Sequence, residues 1–542
     1  MIKRGIIHVE NTEGIIEFAR FLVDEGWTIF SANKTEELLR RENVHVEKEN
    51  ALTVNNFYLS DTAALIRKIM TTKDDNPMDF EAKMREENSF SLICMNLIPS
   101  MKMEPKPQEI SSILLPSNYY ISTILRNCVV NYKNLLILTD PADYEEAIIQ
   151  LRTDNITNEF REYLAAKALN MVSAYDGGIS SSVLMSDSLK NGNFMNYLMV
   201  PFVKQESYET GSNSQQISCL YKYPSESGAV SSFNRHSGLN ADFNVVSDAG
   251  WCWEVISFLY NKLRTQYSID STNSDGYDFI TQCTPLTGTV FTIAVKYKSV
   301  IAAGLATNVT DSFKKTCTYD SENITGVTLG CSAVIDETAA QEIIKTNIVS
   351  IVAPGFTSEA KDILAQNPNI RLIPIVQTST TPFDMQLVNG GLLFQTKDNQ
   401  IFSHWDLKTK IRPSQNVIDE LAFGMVIAMS SRTHCGVLIK DNSIVGISQC
   451  CKSSVKAIDD VLEDAKELQK RSGEENNPDY IIADALICDT EVPLCDSMKE
   501  LIRLGVCAII QTGTEKADDN IIKYCEECGV SLIFTGMTHI SY

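Results

Sequence analysis

The side chains able to do acid–base, thiol or metal chemistry are few and scattered. Six histidines occur, His8, His45, His236, His404, His434 and His539, and no two lie close in sequence. A single imidazole can serve as a general base near neutral pH, but none of these spacings makes a metal-ligand pair. Cys525-Glu526-Glu527-Cys528 is a C-x-x-C. It falls at the end of a predicted helix, just before Gly529, whereas a redox pair sits at a helix start, where the dipole stabilises thiolate. Cys488 and Cys495 have poor spacing for a second zinc-binding pair. These cysteines, like Cys450-Cys451, read as free thiols, and no metal is expected. Pro354-Gly355 and Thr512-Gly513-Thr514 each precede a predicted helix, where free N–H groups can hold a phosphate. Glu359 and Glu515 stand in those first turns and favour plain capping instead. Walker, dinucleotide-fingerprint, nucleophile-elbow and H-E-x-x-H motifs are absent.

The elements that position these residues belong to a chain of 542 residues with 47 Lys+Arg against 69 Asp+Glu, a net charge of −22. That balance opposes non-specific binding to nucleic acid and docking on an anionic membrane. Hydrophobic residues at 44% are ordinary for a globular protein with large cores. The N-terminus, MIKRGIIHVENTEG, lacks the apolar stretch of a secretory signal. The most apolar window, Phe291 to Ala306, is broken by Lys296, Tyr297 and Lys298, too soon for a spanning helix. A cytoplasmic protein is expected, its fifteen cysteines mostly free and buried.

Apolar β-branched runs alternate with amphipathic helices, the α/β pattern. Strands are predicted at Ile6–Val9, Trp27–Phe30 and Leu135–Thr139, and helices at Thr12–Asp24, Thr35–Arg41 and Asn158–Val172. The second half repeats a strand–turn–helix–strand unit, once over Ile348–Ile375 and again over Ala508–Thr535. Polar linkers are read at Ser186–Asn196, Gln205–Ser218, Gln377–Asp384 and Arg471–Asp479. Three domains are therefore expected, over residues 1–187, 188–377 and 378–542.

The chain also resembles the AICAR transformylase/IMP cyclohydrolase family of bifunctional purine-biosynthesis enzymes. In the first domain the resemblance rests on Glu13-Gly14-Ile15-Ile16-Glu17-Phe18-Ala19-Arg20, Asn96-Leu97-Ile98-Pro99, Asp140-Pro141-Ala142-Asp143-Tyr144 and Leu164-Ala165-Ala166-Lys167-Ala168. Further on it rests on Ile351-Val352-Ala353-Pro354-Gly355-Phe356, Val388-Asn389-Gly390-Gly391-Leu392-Leu393, Ile509-Ile510-Gln511-Thr512-Gly513-Thr514 and Phe534-Thr535-Gly536-Met537-Thr538-His539. These stand in the family's order along the whole chain. The resemblance implies a methylglyoxal-synthase-like N-terminal domain followed by two cytidine-deaminase-like α/β units without zinc. It implies formyl transfer from formyl-tetrahydrofolate to AICAR, then ring closure to IMP, by a cytoplasmic homodimer that binds purine nucleotide.

The departures from the family fall where its chemistry lies. The family's Lys-Thr-Leu-His-Pro stretch has no counterpart, and its Ser-Thr-Gly-Gly-Thr loop is Ser31-Ala32-Asn33-Lys34-Thr35. Cyclohydrolase activity is expected to be lost. The family's Lys-His pair aligns with Lys298-Ser299 or Lys296-Tyr297, without its His in either case. Its Ser-Asn pair falls on Thr433-His434, its glycine loop on Gly446 to Ser454, and its Phe-Phe-Pro-Phe on Leu486-Ile487-Cys488-Asp489. The remaining catalytic candidates are Lys298, His434 and His539, and the substrate-binding candidates are Lys190, Asn244, Asp248 and Arg126. Three readings stay open: a formyltransferase with replacement residues; an inactive homologue that binds nucleotide or pairs with an active family member; and a new thiol or metal site built from Cys450, Cys451 and His434.

Overall fold

A computed structural model describes residues 3–48, 65–66, 69, 89–99, 116–224, 242–262, 267–272, 278–283, 288–318, 324–375, 382–401, 405–477, 479–513 and 519–541. The chain divides into two compact units, Met1–Lys204 with Tyr221–Ser225, and Gln205–Leu220 with Glu226–Tyr542.

The first unit is built on five strands: β1 (Arg4–His8), β2 (Thr28–Ser31), β3 (Glu47–Lys48), β4 (Leu92–Met95) and β5 (Leu136–Leu138). They lie in the order β3-β2-β1-β4-β5, and every pair is parallel. Helices cover both faces, which is why the inner strands read as unbroken apolar runs. Ile7, Ile29 and Leu136 face Ile15, Phe18 and Leu22 of the Ile15–Asp24 helix. Ile6, Phe30 and Ile137 face Leu125 of the Pro116–Val130 helix and Val172 of the long Asn158–Asn191 helix. The stretches that carry the family resemblance meet here: Lys167 Nζ reaches Asp140 at 2.7 Å and Asp143 at 2.6 Å, and the Phe18 and Tyr144 rings stack at 4.7 Å.

The Asn158–Asn191 helix runs well past Val172 and through residues 186–191, where a linker is expected from composition. Its serines look like linker residues but bond inside the helix: Ser182 Oγ donates to Gly178 O at 2.7 Å and Ser188 Oγ to Leu184 O at 3.1 Å. The helix ends at Gly192, in the left-handed conformation that only glycine adopts freely. Residue 187 thus lies inside a helix, and the first unit continues to Lys204. A two-stranded ribbon, β6 (Val203–Tyr208) and β7 (Ser218–Lys222), follows.

The second unit holds β8 (Tyr267–Thr272), β9 (Asp278–Cys283), β10 (Val290–Lys296), β11 (Ser299–Ala306), β12 (Thr328–Cys331), β13 (Ser350–Ala353) and β14 (Arg371–Pro374). A separate hairpin, β15 (Phe383–Val388) and β16 (Gly391–Thr396), comes next. Then follow β17 (Trp405–Leu407), β18 (Gly436–Lys440), β19 (Ser443–Ser448), β20 (Ala485–Cys488), β21 (Ala508–Gln511) and β22 (Ser531–Phe534). All but the hairpin share one thirteen-stranded sheet, ordered β14-β13-β12-β10-β11-β19-β18-β20-β21-β22-β17-β8-β9.

That order contains one pattern twice. Read outward from the middle, β11-β10-β12-β13-β14 matches β19-β18-β20-β21-β22, with the same parallel and antiparallel pairings. A buried helix precedes each hairpin, Phe243–Lys262 in one half and Gln415–Met429 in the other. Both pack on one face of the sheet, Ile256 and Leu421 against Phe291, Ile293, Val437 and Ile439. Other helices cover the other face in each half, among them Val309–Thr316 in the first and Ser454–Arg471 in the second. The strand–helix–strand units expected at 348–375 and 508–535 are β13 to β14 and β21 to β22, equivalent parts of the two halves. At the middle of the sheet the halves meet where β11 pairs β19, at Gly304↔Ser443. A Cβ on Gly304 would lie 2.6 Å from Ser312 O and 2.7 Å from Thr316 N, so the close packing of the Val309–Thr316 helix on β11 requires glycine.

Candidate functional site

Two of the sequence-predicted residues, Asp248 and Lys298, meet in the first half. Asp248 is buried on the Phe243–Lys262 helix, and its carboxylate accepts the backbone N–H groups of Tyr297 (3.0 Å) and Lys298 (2.8 Å). These two residues form the β10–β11 turn, with φ of 52° and 57°. Left-handed backbone of this kind suits the twist of a two-residue hairpin and exposes both amides to one acceptor. Asp248 thus fixes the turn, while the Lys298 side chain points outward and is exposed. Lys296 donates to Thr325 O at 3.0 Å. Asn244, one turn before Asp248, donates to Ser212 O at 3.3 Å.

His434 lies in the second half, just before β18 and at the end of that strand away from its hairpin turn. Its Nδ1 is 2.9 Å from Thr490 Oγ1, and Thr490 donates to Asp489 Oδ1 at 3.3 Å. The same carboxylate oxygen accepts Cys435 N–H at 3.0 Å. Asp489 is fully buried at the end of β20. Burial holds its carboxyl above the usual range, while the Cys435 N–H, Thr433, the nearby His434 and Thr490 pull the other way. A threonine hydroxyl that donates to Asp489 accepts from Nδ1–H. That tautomer leaves the lone pair on Nε2, and Nε2 makes no hydrogen bond among the described residues. The arrangement is an acid–hydroxyl–imidazole line ending in an available base.

Cys450 and Cys451 are brought beside His434 by backbone pairing. Cys450 N–H donates to Arg432 O at 2.9 Å, and Cys451 N–H to His434 O at 3.3 Å. Cys450 is exposed with φ 57°. Cys451 Sγ donates to Asp460 Oδ2 at 3.4 Å. Burial and Asp460 raise that thiol above its ordinary value, which disfavours the thiolate a nucleophile or metal ligand needs. Among the described residues no group of three or more His, Cys, Asp or Glu is arranged to hold a metal ion.

His539 is only 1% exposed, and both ring nitrogens are engaged. Nε2 lies 2.8 Å from Ile401 O, and Nδ1 lies 2.7 Å from Asp398 Oδ2. A carbonyl only accepts, so Nε2 carries hydrogen, and the contact with Asp398 needs a second proton between the partners. The His539 N–H donates to Asp489 O at 3.2 Å, and its carbonyl accepts from Thr433 Oγ1 at 3.1 Å. His539 therefore ties the C-terminal segment to Asp398, Thr433 and Asp489, with no ring nitrogen left for substrate.

The other two candidates belong to the first unit. Arg126 pairs with Asp176 and donates to Ser122 Oγ at 3.1 Å. Lys190 sits in the last turn of the Asn158–Asn191 helix, and its side chain lies outside the described residues. Asp489 and Thr490, which orient His434, are not among the sequence candidates. Their signal is an acid directly after the apolar run Ala485-Leu486-Ile487-Cys488, where a buried strand rarely ends in an unpaired charge.

The family model for the AICARFT/IMPCHase bienzyme matches residues 129–463. The chain is similar over its whole length to curated proteins described as the bifunctional purine biosynthesis protein PurH. The Brachyspira hyodysenteriae protein is 25% identical over 555 residues, covering 100% of both chains. That of Clostridium acetobutylicum is 24% identical over 548 residues, and that of Petrotoga mobilis 25% over 549, again with 100% of both chains covered.

Proposed function

Because the chain belongs to the AICARFT/IMPCHase bienzyme family, we propose that its second unit transfers a formyl group from formyl-tetrahydrofolate to the amine of AICAR, with His434 as the base. The observation that carries this is the Asp489–Thr490–His434 line and the open Nε2 at its end. The amine nitrogen attacks the formyl carbon, forming a C–N bond as the bond from that carbon to the folate nitrogen breaks. His434 Nε2 takes the proton from the amine and delivers it to the departing nitrogen. Asp489 stabilises the imidazolium through Thr490. This role replaces that of the family's Lys-His pair, which aligns here with Lys298-Ser299 or Lys296-Tyr297 and so lacks its His; Lys296 is bonded to Thr325 O and Lys298 is an exposed turn residue.

We read the first unit as methylglyoxal-synthase-like, on its five parallel strands, and the two matched halves as cytidine-deaminase-like units. Cyclohydrolase activity is absent in this reading. Thr35, in the loop that replaces the family's glycines, is buried and bonds Val9 N and O, each at 3.1 Å, and Asn33 begins the helix there. The protein is a cytoplasmic homodimer that binds a purine nucleotide.

A second reading is favoured by Asp248 and Lys298, both of which the β10–β11 turn employs structurally. In that reading the chain is an inactive nucleotide-binding homologue or a partner for an active family member. A spectrophotometric assay with AICAR and formyl-tetrahydrofolate separates the two, with an active family member as standard. Turnover within about a hundredfold of the standard that falls in His434→Ala supports the first reading. No turnover at high enzyme concentration sinks it.

A further inference from the structure

A cleft of about 370 Å³ opens in the second unit with His539 in its lining, and the proposed formyl transfer does not use it. One wall is the helix Phe243–Lys262, which contributes Trp251, Glu254, Val255 and Phe258. These residues lie at helical spacing and so share one face. The opposite wall is the β15–β16 hairpin and the residues after it, with Asp384, Gln395 and Lys397. Met429 and Ser430, at the C-terminal end of the Gln415–Met429 helix, close one end.

The charges in this cleft do not cancel. Lys397 is paired with Glu254. Asp398 is paired with His539. Asp384 also lines the cleft, and among the described residues no cation pairs with it; its partner is the Gln395 amide across the hairpin. Burial and neighbouring Asp398 both disfavour its charged form, so a cation placed beside it gains the interaction now missing. The end of the Gln415–Met429 helix adds the negative pole of its dipole. The aromatic faces of Trp251 and Phe258 suit an ammonium with an apolar body. The Trp251 indole N–H is buried and unbonded, which leaves a donor for a ligand oxygen.

We propose that this cleft binds a small organic amine in its ammonium form, with the nitrogen at Asp384 and the apolar body against Trp251 and Phe258. The sign of the lining is wrong for a nucleotide phosphate, so this ligand is distinct from the purine nucleotide of the proposed reaction. Its binding stands whether or not formyl transfer does.

The test is calorimetry on the full chain with three probes sharing one body: tyramine as the cation, tyrosol as its neutral counterpart and phloretate as the anion. The full chain is also compared with Asp384→Asn, whose fold is checked by thermal unfolding. The expected result is saturable binding of tyramine, at least about tenfold weaker binding of tyrosol, no binding of phloretate, and a similar loss for tyramine in Asp384→Asn. Equal binding of tyramine and tyrosol, no binding of tyramine at millimolar concentration, or unchanged tyramine affinity in a folded Asp384→Asn protein would each overturn the proposal. Because no AICAR or folate is present, these outcomes are independent of the transformylase assay.

Discussion

Asp248 and Glu420 occupy the same position in the two halves of the large sheet. Each is the sixth residue of the helix before its hairpin, Phe243–Lys262 and Gln415–Met429 respectively. Each accepts the N–H of the second residue of that hairpin's turn: Lys298 at 2.8 Å for Asp248 and Asn442 at 2.7 Å for Glu420. Both turns are left-handed, with φ of 52° and 57° in the first and 51° and 61° in the second. One carboxylate clamp per half anchors the hairpin to the helix.

The two clamps differ in electrostatics. Glu420 is 3% exposed, with Oε2 unbonded and Asp484 and Asp441 nearby; the Asn442 N–H and Lys315 act the other way. Burial is the main cause that pushes its carboxyl up to about 7. The folded protein therefore binds this proton more tightly than the unfolded chain. Its contribution is intact below the ordinary carboxyl value of 4.5 and is lost as pH rises towards 7, by roughly 3 kcal/mol. Glu420→Gln keeps an acceptor for Asn442 N–H without the charge. It is expected to raise the unfolding midpoint at pH 8 and leave it nearly unchanged at pH 4. A midpoint that moves equally at both pH values would contradict this.

Removal of the other clamp costs stability. Asp248→Ala leaves the amides of Tyr297 and Lys298 without their acceptor and is expected to destabilise the second unit by about 2–3 kcal/mol. Asp248→Asn, which keeps one acceptor oxygen, loses less. Denaturant unfolding of the three proteins gives the order directly.

Replacing His434 tests the base. His434→Ala is expected to lower kcat for formyl transfer by about 10²–10⁴-fold with a smaller change in KM. Lys298→Ala and His539→Gln separate the roles of the other candidates. The first is expected to leave kcat within about threefold, since the turn is held through its backbone amide. The second acts mainly on stability, because both ring nitrogens are bonded within the protein.

The Asp489 carboxylate is tested by Asp489→Asn. An asparagine oxygen still accepts from Cys435 N–H and Thr490, so the fold is expected to survive. The lost charge no longer favours the imidazolium, and kcat is expected to fall at least about tenfold. The acidic limb of the pH–rate profile, where the general base is protonated, is the second readout, and an unchanged kcat would remove Asp489 from the mechanism.

Much of this architecture was legible in the residues. Apolar strands buried on both faces and helices with one apolar face give local signals strong enough to place β1, β2, β13, β14, β21 and β22. The repeat of strand, glycine turn, helix and strand pointed to the matched halves. The Asn158–Asn191 helix was shorter in expectation because serine and glycine weaken helix propensity. Ser182 and Ser188 offset this with bonds to carbonyls four residues back, which composition does not reveal. The site was less legible. Asp248 and His539 have the residue types of a functional group, but the hairpin turn and the C-terminal tie that engage them arise from contacts across about 50 and 140 residues. His434 was visible as a candidate, while Thr490 and Asp489, which orient it, come from a different strand.

The two halves of the sheet end differently. Beyond β22 the sheet continues through β17, whereas among the described residues nothing pairs with the outer side of β14. An unpaired strand invites edge-to-edge association with other chains. β14 limits this in two ways: it is four residues long, and it ends at Pro374, which has no N–H to offer an incoming strand. Of the two matched five-strand runs, one thus keeps an outer rim, at β14, with no paired neighbour among the described residues. Replacing Pro374 is the change by which this protein would be expected to begin to aggregate while still folded.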